Sequence, residues 1–182
     1  MKCLNGYLLI ALISMTQMAH AQLVDFTDPQ LVEQMWVVND NVMGGVSESR
    51  YRHDADGVII EGTVSLENNG GFASTRSKAS FAAGVSILEL TVKGDGKRYK
   101  FILRTDPSPQ TPMYQADFVA VTGWNTYRFS PRDFRASFRG RAVDAPALVF
   151  SEVREMGLLI ADKQAGPFQI QVQRVAGLRS AQ

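Results

Sequence analysis

The chain has 182 residues, 45% of them hydrophobic, with 19 basic against 18 acidic side chains. A charge this close to neutral excludes general nucleic-acid binding, which needs a basic footprint. A single cysteine excludes a disulfide framework and a thiolate zinc site.

The first 21 residues read as an export signal. Lys2 supplies a positive start, residues 7–15 form a short apolar run, and Ala19-His20-Ala21 is a small-x-small cleavage site. The run is too short to span a bilayer comfortably, and no later segment is long and apolar enough for a membrane helix. Residues 1–21 are thus expected to be removed and residues 22–182 to form a single β-sandwich domain. Cys3 precedes the apolar run, which argues against a lipoprotein anchor, and it departs with the signal. Losing Lys2 takes 19 basic residues to 18, against 18 acidic. The mature chain is expected in the periplasm, held by its core alone; about 160 residues is ample for one core.

Asp28-Pro29 predicts a short helix through Met35, since Asp suits the N-cap and Pro the first turn. The remaining signals are mostly β. Val58, Ile60, Val64 and Leu66 share one parity of a strand over residues 58–66. Leu88, Leu90 and Val92 alternate with Glu89, Thr91 and Lys93. Tyr99, Phe101 and Leu103 alternate with Lys100 and Arg104, and residues 124–129 continue this style. Phe168, Ile170 and Val172 against Gln169, Gln171 and Gln173 give the cleanest alternation. Period two means one buried and one wet face. Strands recurring with turn signals and almost no helix imply an antiparallel sandwich or barrel. The Pro-rich residues 106–112 read as a loop, and residues 130–146 as an irregular crossover.

Three glycine turns carry the candidate chemistry. The first holds Asp40, Asn41, Met43, Gly44 and Gly45. The second holds Glu67, Asn68, Asn69, Gly70 and Gly71. The third holds Gly94, Asp95 and Gly96 and runs into Lys97 and Arg98. Gly adopts φ > 0 freely, and Asn and Asp tolerate it. Two readings stand: the Asn and Asp side chains cap their own turns, or the turns converge on a polar pocket for sugar hydroxyls or a hard cation. Met43 reads as a hydrophobic plug under its turn. A second feature is Arg128, Arg132, Arg135, Arg139 and Arg141 interleaved with Phe129, Phe134 and Phe138, suited to anionic partners or to a solvated crossover. The glutamine row reads as the wet side of an edge or outer strand, which Lys100 and Arg104 could join. Trp36 and Trp124 read as core or rim packing. His53, the only histidine outside the signal, reads as a surface loop residue; catalytic residues, metal ligands and cofactors are expected to be none.

Trp36, residues 39–47, 66–74 and 94–101, Trp124, Phe134, Arg139-Gly140-Arg141 and residues 157–168 together resemble the complex I intermediate-associated protein 30 family. The resemblance covers roughly residues 26–178. It implies a jelly-roll β-sandwich of the galactose-binding-domain-like type and a non-catalytic role. Mitochondrial members assist assembly of respiratory complex I, whereas this chain carries a secretory signal. The expectation is an exported binding or assembly module for a protein partner or membrane-associated complex, engaged through the glycine-turn end and the Arg/Phe segment. The alternatives are a carbohydrate-binding module, and a hydrolase using Glu67 or Asp95.

Overall fold

The computed structural model describes residues 20–179. Thirteen strands occur among these residues, in two antiparallel layers. They are β1 (His20–Asp25), β2 (Trp36–Val37), β3 (Glu48–Asp54), β4 (Gly57–Val64), β5 (Ala73–Lys78), β6 (Val85–Lys93) and β7 (Arg98–Arg104), then β8 (Met113–Val119), β9 (Asn125–Phe129), β10 (Arg135–Phe138), β11 (Arg141–Ala142), β12 (Glu155–Ile160) and β13 (Gly166–Arg179). One sheet has the order β3-β4-β13-β6-β9, with β1 also paired to β13; the other has the order β11-β10-β8-β7-β12-β5-β2. The long β13 makes the six-stranded sheet possible. Its first half pairs with β4, its second half with β1, and a register shift between Val172 and Arg174 hands over from one to the other. Connections from β4 to β5, β5 to β6, β6 to β7, β8 to β9, β9 to β10 and β12 to β13 cross between layers. The architecture is a jelly-roll sandwich.

Alternation along the strands builds the core, but β7 is buried on both faces, so Lys100 (9% exposed) and Arg104 (5%) are not on a wet side as expected. Val58, Ile60, Leu88, Leu90, Val92, Tyr99, Phe101, Leu103, Phe168, Ile170 and Val172 all belong to one buried cluster between the sheets. At its centre Phe101 meets Phe129 and Phe134 at ring-centroid distances of 5.5 and 5.8 Å, in tilted geometry that suits aromatic quadrupoles.

Several local expectations shift. The helix is one α turn, α1 (Pro29–Val32), capped by Asp28 accepting from Gln30 N at 2.9 Å, and beyond it the i→i−3 bonds of Gln34 N to Leu31 O and Met35 N to Val32 O carry the turn to Met35. Leu66 and Trp124 fall outside β4 and β9 and are exposed. Residues 130–146 cross between the sheets only at their start. They then form the β10–β11 hairpin, turned by Arg139 (φ 49°) and Gly140 (φ 76°). The glutamine row sits on β13, a central strand, and Gln171 is buried with its amide donating to Asp54 Oδ1 at 2.9 Å. Lys100 and Arg104 lie on the other sheet, so they do not join it. His53 lies within β3, its Nε2 2.9 Å from Thr27 O. The expected export signal falls mostly on residues 1–19, outside the described residues; residues 20–21 open β1.

Candidate functional site

Strand register gathers five connections at one end of the sandwich. Val64, ending β4, faces Gly166, opening β13. Ala73, opening β5, faces Ile160, ending β12. Arg98, opening β7, faces Val119, ending β8. Residues 38–47, 65–72, 94–97, 120–124 and 161–165 therefore crowd together. All three glycine turns lie here, and with them ten of the sequence-derived candidates: Asp40, Asn41, Met43, Gly44, Gly45, Glu67, Asn68, Asn69, Asp95 and Arg98. Arg139 and Arg141 do not. Their hairpin extends from the opposite end of β8, where Ser137 pairs with Met113. There Arg139 lies 5.2 Å from the Phe138 ring and both Arg139 and Arg141 are exposed.

Asp40 joins the first two turns. It is only 1% exposed, and its carboxylate accepts from Ser47 N at 2.9 Å, Ser47 Oγ at 2.5 Å, Gly71 N at 2.6 Å and Phe72 N at 3.2 Å. Burial alone pushes its carboxyl up, but the hydrogen bonds from Ser47, Gly71 and Phe72 outweigh it and hold the group below the ordinary carboxylate value. Glycine is required around it. A Cβ on Gly70 would stand 2.6 Å from Asp40 Oδ2, and one on Gly45 would overlap the same carboxylate. Gly44 (φ 91°) closes the first turn in the left-handed region, and Asn68 (φ 54°) and Asn69 (φ 59°) occupy that region in the second. Asn39, which sequence reasoning missed, adds a second tie: its Oδ1 accepts from Ser49 Oγ at 2.8 Å and Ser74 N at 3.3 Å.

The tied turns present apolar side chains to water. Val42, Met43, Val46 and Leu66 are exposed, Met43 by 68%, so it is not a plug under its turn. The neighbouring β8–β9 connection adds Val121 and Trp124, with Lys93 Nζ 5.1 Å from the Trp124 ring. Of ten exposed large hydrophobic residues among the described residues, seven lie at this end, Val119 being the seventh.

The third turn serves a different surface. Asp95 Oδ1 accepts from Lys97 N at 3.1 Å, while Oδ2 accepts from Tyr99 OH at 3.1 Å and Gln169 N at 2.9 Å. Burial, with the Asp95 charge beside it, pushes the Tyr99 phenol far up, so it stays a donor. Asp95 borders an open cleft of about 570 Å³ on the outer face of the six-stranded sheet, with Glu48, Arg50, Glu61, Thr63, Lys97 and Gln169 around it. Glu61 pairs there with Arg50 at 2.9 Å. Arg98 exchanges backbone bonds with the Gln164 amide at 3.1 and 2.7 Å. Among the described residues, no group of three or more His, Cys, Asp or Glu is placed to hold a metal, and no helix is long and apolar enough to cross a membrane.

The fold has solved counterparts. The family 11 carbohydrate-binding module of the cellulosomal cellulase Lic26A-Cel5E of Clostridium thermocellum superposes with a TM-score of 0.63 at 11% identity, covering 91% of this chain and 99% of that one. A family 11 module from the same organism, in complex with a β-1,3-1,4-mixed-linked tetrasaccharide, gives 0.61 at 11% identity over 87% and 96%. An agarase, AgWH50C, gives 0.53 at 11% identity over 87% of this chain and 25% of its own. At such identities the likeness is one of fold. No curated protein sequence matches the chain. The family model for complex I intermediate-associated protein 30 matches residues 24–172, from β1 into β13 and including all three glycine turns. The chain belongs to the complex I intermediate-associated protein 30 family.

Proposed function

We propose that this protein is an exported, non-catalytic binding and assembly module that holds a protein partner, or a membrane-associated complex, through the loop end of its sandwich. The clustering of exposed apolar side chains on the Asp40-tied turns carries this reading. Single exposed apolar residues need no explanation, whereas a contiguous set on ordered loops marks a contact surface. The charges around it are mixed, with Glu48 and Glu67 against Lys97, Arg98 and Lys163. That favours a protein surface over anionic lipid, which calls for a basic ring. Export follows from residues 1–21, with the mature chain starting at Gln22 in the periplasm. The test is recovery of partners from periplasm by wild type and by a Val42→Ser, Met43→Ser, Leu66→Ser triple variant. Wild type is expected to retain a partner that the variant loses at unchanged stability; equal recovery refutes the loop end as the docking surface.

The cleft beside Asp95 favours a second reading, a carbohydrate-binding module, since its carboxylate, amide, hydroxyl and cationic groups suit sugar hydroxyls. A glycan array with wild type and Gln169→Ala decides it: no signal, or a signal the substitution leaves unchanged, dismisses the cleft. Hydrolysis has less support, because Asp95 already accepts three hydrogen bonds and Glu67 stands exposed on its turn.

A further inference from the structure

Away from the loop end, one transverse row of side chains crosses the outer face of the seven-stranded sheet. Trp36 pairs with Arg76, Arg76 with Gly157, Gly157 with Ile102, Ile102 with Gln115, and Gln115 with Arg135. Their strand neighbours Phe101, Ala116 and Leu158 face the core, so this row faces outward. At about 4.8 Å per strand step, six strands give a row roughly 24 Å long. Its middle is flat and apolar: Gly157 has no side chain, and Ile102 is 1% exposed. A Cβ on Gly157 would stand 3.1 Å from Arg76 Cγ, so the arginine stem lies alongside the glycine.

The cations on this face differ sharply in their partners. Lys100 Nζ is 2.6 Å from Asp117 and 2.9 Å from Asp162. Arg104 pairs with Glu155 at 3.6 Å and donates to Asp106 O, Ser108 O and Thr111 Oγ1. Arg76 has no hydrogen bond or ion pair among the described residues, and its Nε is buried without an acceptor. Ser74, one row along on the same face and 3% exposed, also has a buried Oγ with no partner. Burial and the Arg104 charge, opposed only by Glu155, pull the Arg76 guanidinium below its ordinary value. A buried guanidinium donor without an acceptor is costly, whereas its planar fork matches a carboxylate.

We propose that Arg76 and Ser74 form a carboxylate-binding site, and that the row from Trp36 to Gln115 seats an acidic glycan whose uronate group Arg76 receives. Glu155, whose charge acts on Arg76, disfavours a dianion such as phosphate. Trp36 offers a ring beside Arg76, Gln115 an amide, and Ile102 with Gly157 the floor, as glycan sites require. A half-buried row across strands, without a free sheet edge along it, suits a sugar chain better than an extended peptide.

The test titrates wild type with tetragalacturonate, its neutral methyl ester and tetraglutamate by calorimetry. Wild type is expected to bind tetragalacturonate measurably at ~1 mM or below and the methyl ester at least about 10-fold more weakly. Arg76→Gln is expected to lose about 10- to 100-fold in affinity and Ser74→Ala about 3- to 10-fold, while Arg76→Gln melts no lower than wild type because an unpaired charge has gone. Should Arg76→Gln fold poorly, the relief argument is wrong and the site falls. No tetragalacturonate binding, equal binding of the methyl ester, or unchanged binding by both variants overturns the proposal. Tighter binding of tetraglutamate than of tetragalacturonate reassigns the row to acidic peptide and overturns the glycan assignment. None of these outcomes bears on docking at the loop end, which uses other residues.

Discussion

Replacing Asp40 should separate the two Gly-Gly turns. Asp40→Ala removes an acceptor used by Ser47 N, Ser47 Oγ, Gly71 N and Phe72 N in a buried place. Ser47 Oγ can turn to Ser65 O, 3.3 Å away, so three backbone donors bear most of the loss. Each buried donor left unmatched costs ~1–3 kcal/mol, and allowing for relaxation and entering water the total is about 3–5 kcal/mol. Asp40→Asn keeps the shape but turns an NH2 toward N–H donors, and about 2–3 kcal/mol is expected. Because the folded carboxyl sits below its unfolded value of about 4, the native contribution is complete above that pH. It is lost as pH falls through the lower, folded value. Urea unfolding at neutral and acid pH measures both effects. Wild type should lose stability toward acid more steeply than Asp40→Asn. A loss below about 1 kcal/mol for Asp40→Ala, or parallel pH profiles, refutes the latch.

Lys100→Met should cost about 1–2 kcal/mol, a modest figure because Asp117 and Asp162 are half exposed and screened. Burial opposes the Lys100 charge but the two carboxylates prevail and raise its value, so wild-type stability from this group is full below about pH 10 and fades above it; alkaline thermal melts should lose that slope in the variant. Asp95→Ala should cost about 1–3 kcal/mol by freeing Tyr99 OH and Gln169 N, and hydrogen exchange should quicken at Lys97 and Gln169 while the Asp40 turns stay protected. Intact mass of the exported protein should correspond to a chain beginning at Gln22; retention of residues 1–21 would remove the export reading.

The layered fold was legible because burial follows parity. Phe168, Ile170 and Val172 alternate with glutamines, and a strand has no other way to bury the first set. The same logic failed at Leu66 and Trp124, whose parity matches a strand but which lie past its end, where pairing has stopped. The glycine turns were visible as turns. The use of their carboxylates was not: Asp40 could as well have capped its own turn, and Asp95 does so through Lys97 N while also reaching Gln169. Arg76 gave no signal at all, being one of several arginines at wet positions.

The sequence by itself determined that this chain is an antiparallel sandwich or barrel with a core of alternating aliphatic and aromatic residues, because side-chain period is a local property of each strand. Tertiary structure decided the rest. It set Asp40 against Gly71, 31 residues on, gathered Met43, Leu66 and Trp124 at one end, and left the Arg76 Nε beside Gly157 without an acceptor. Those outcomes depend on the register between strands distant in sequence, and register emerges only when the two sheets close on a shared core.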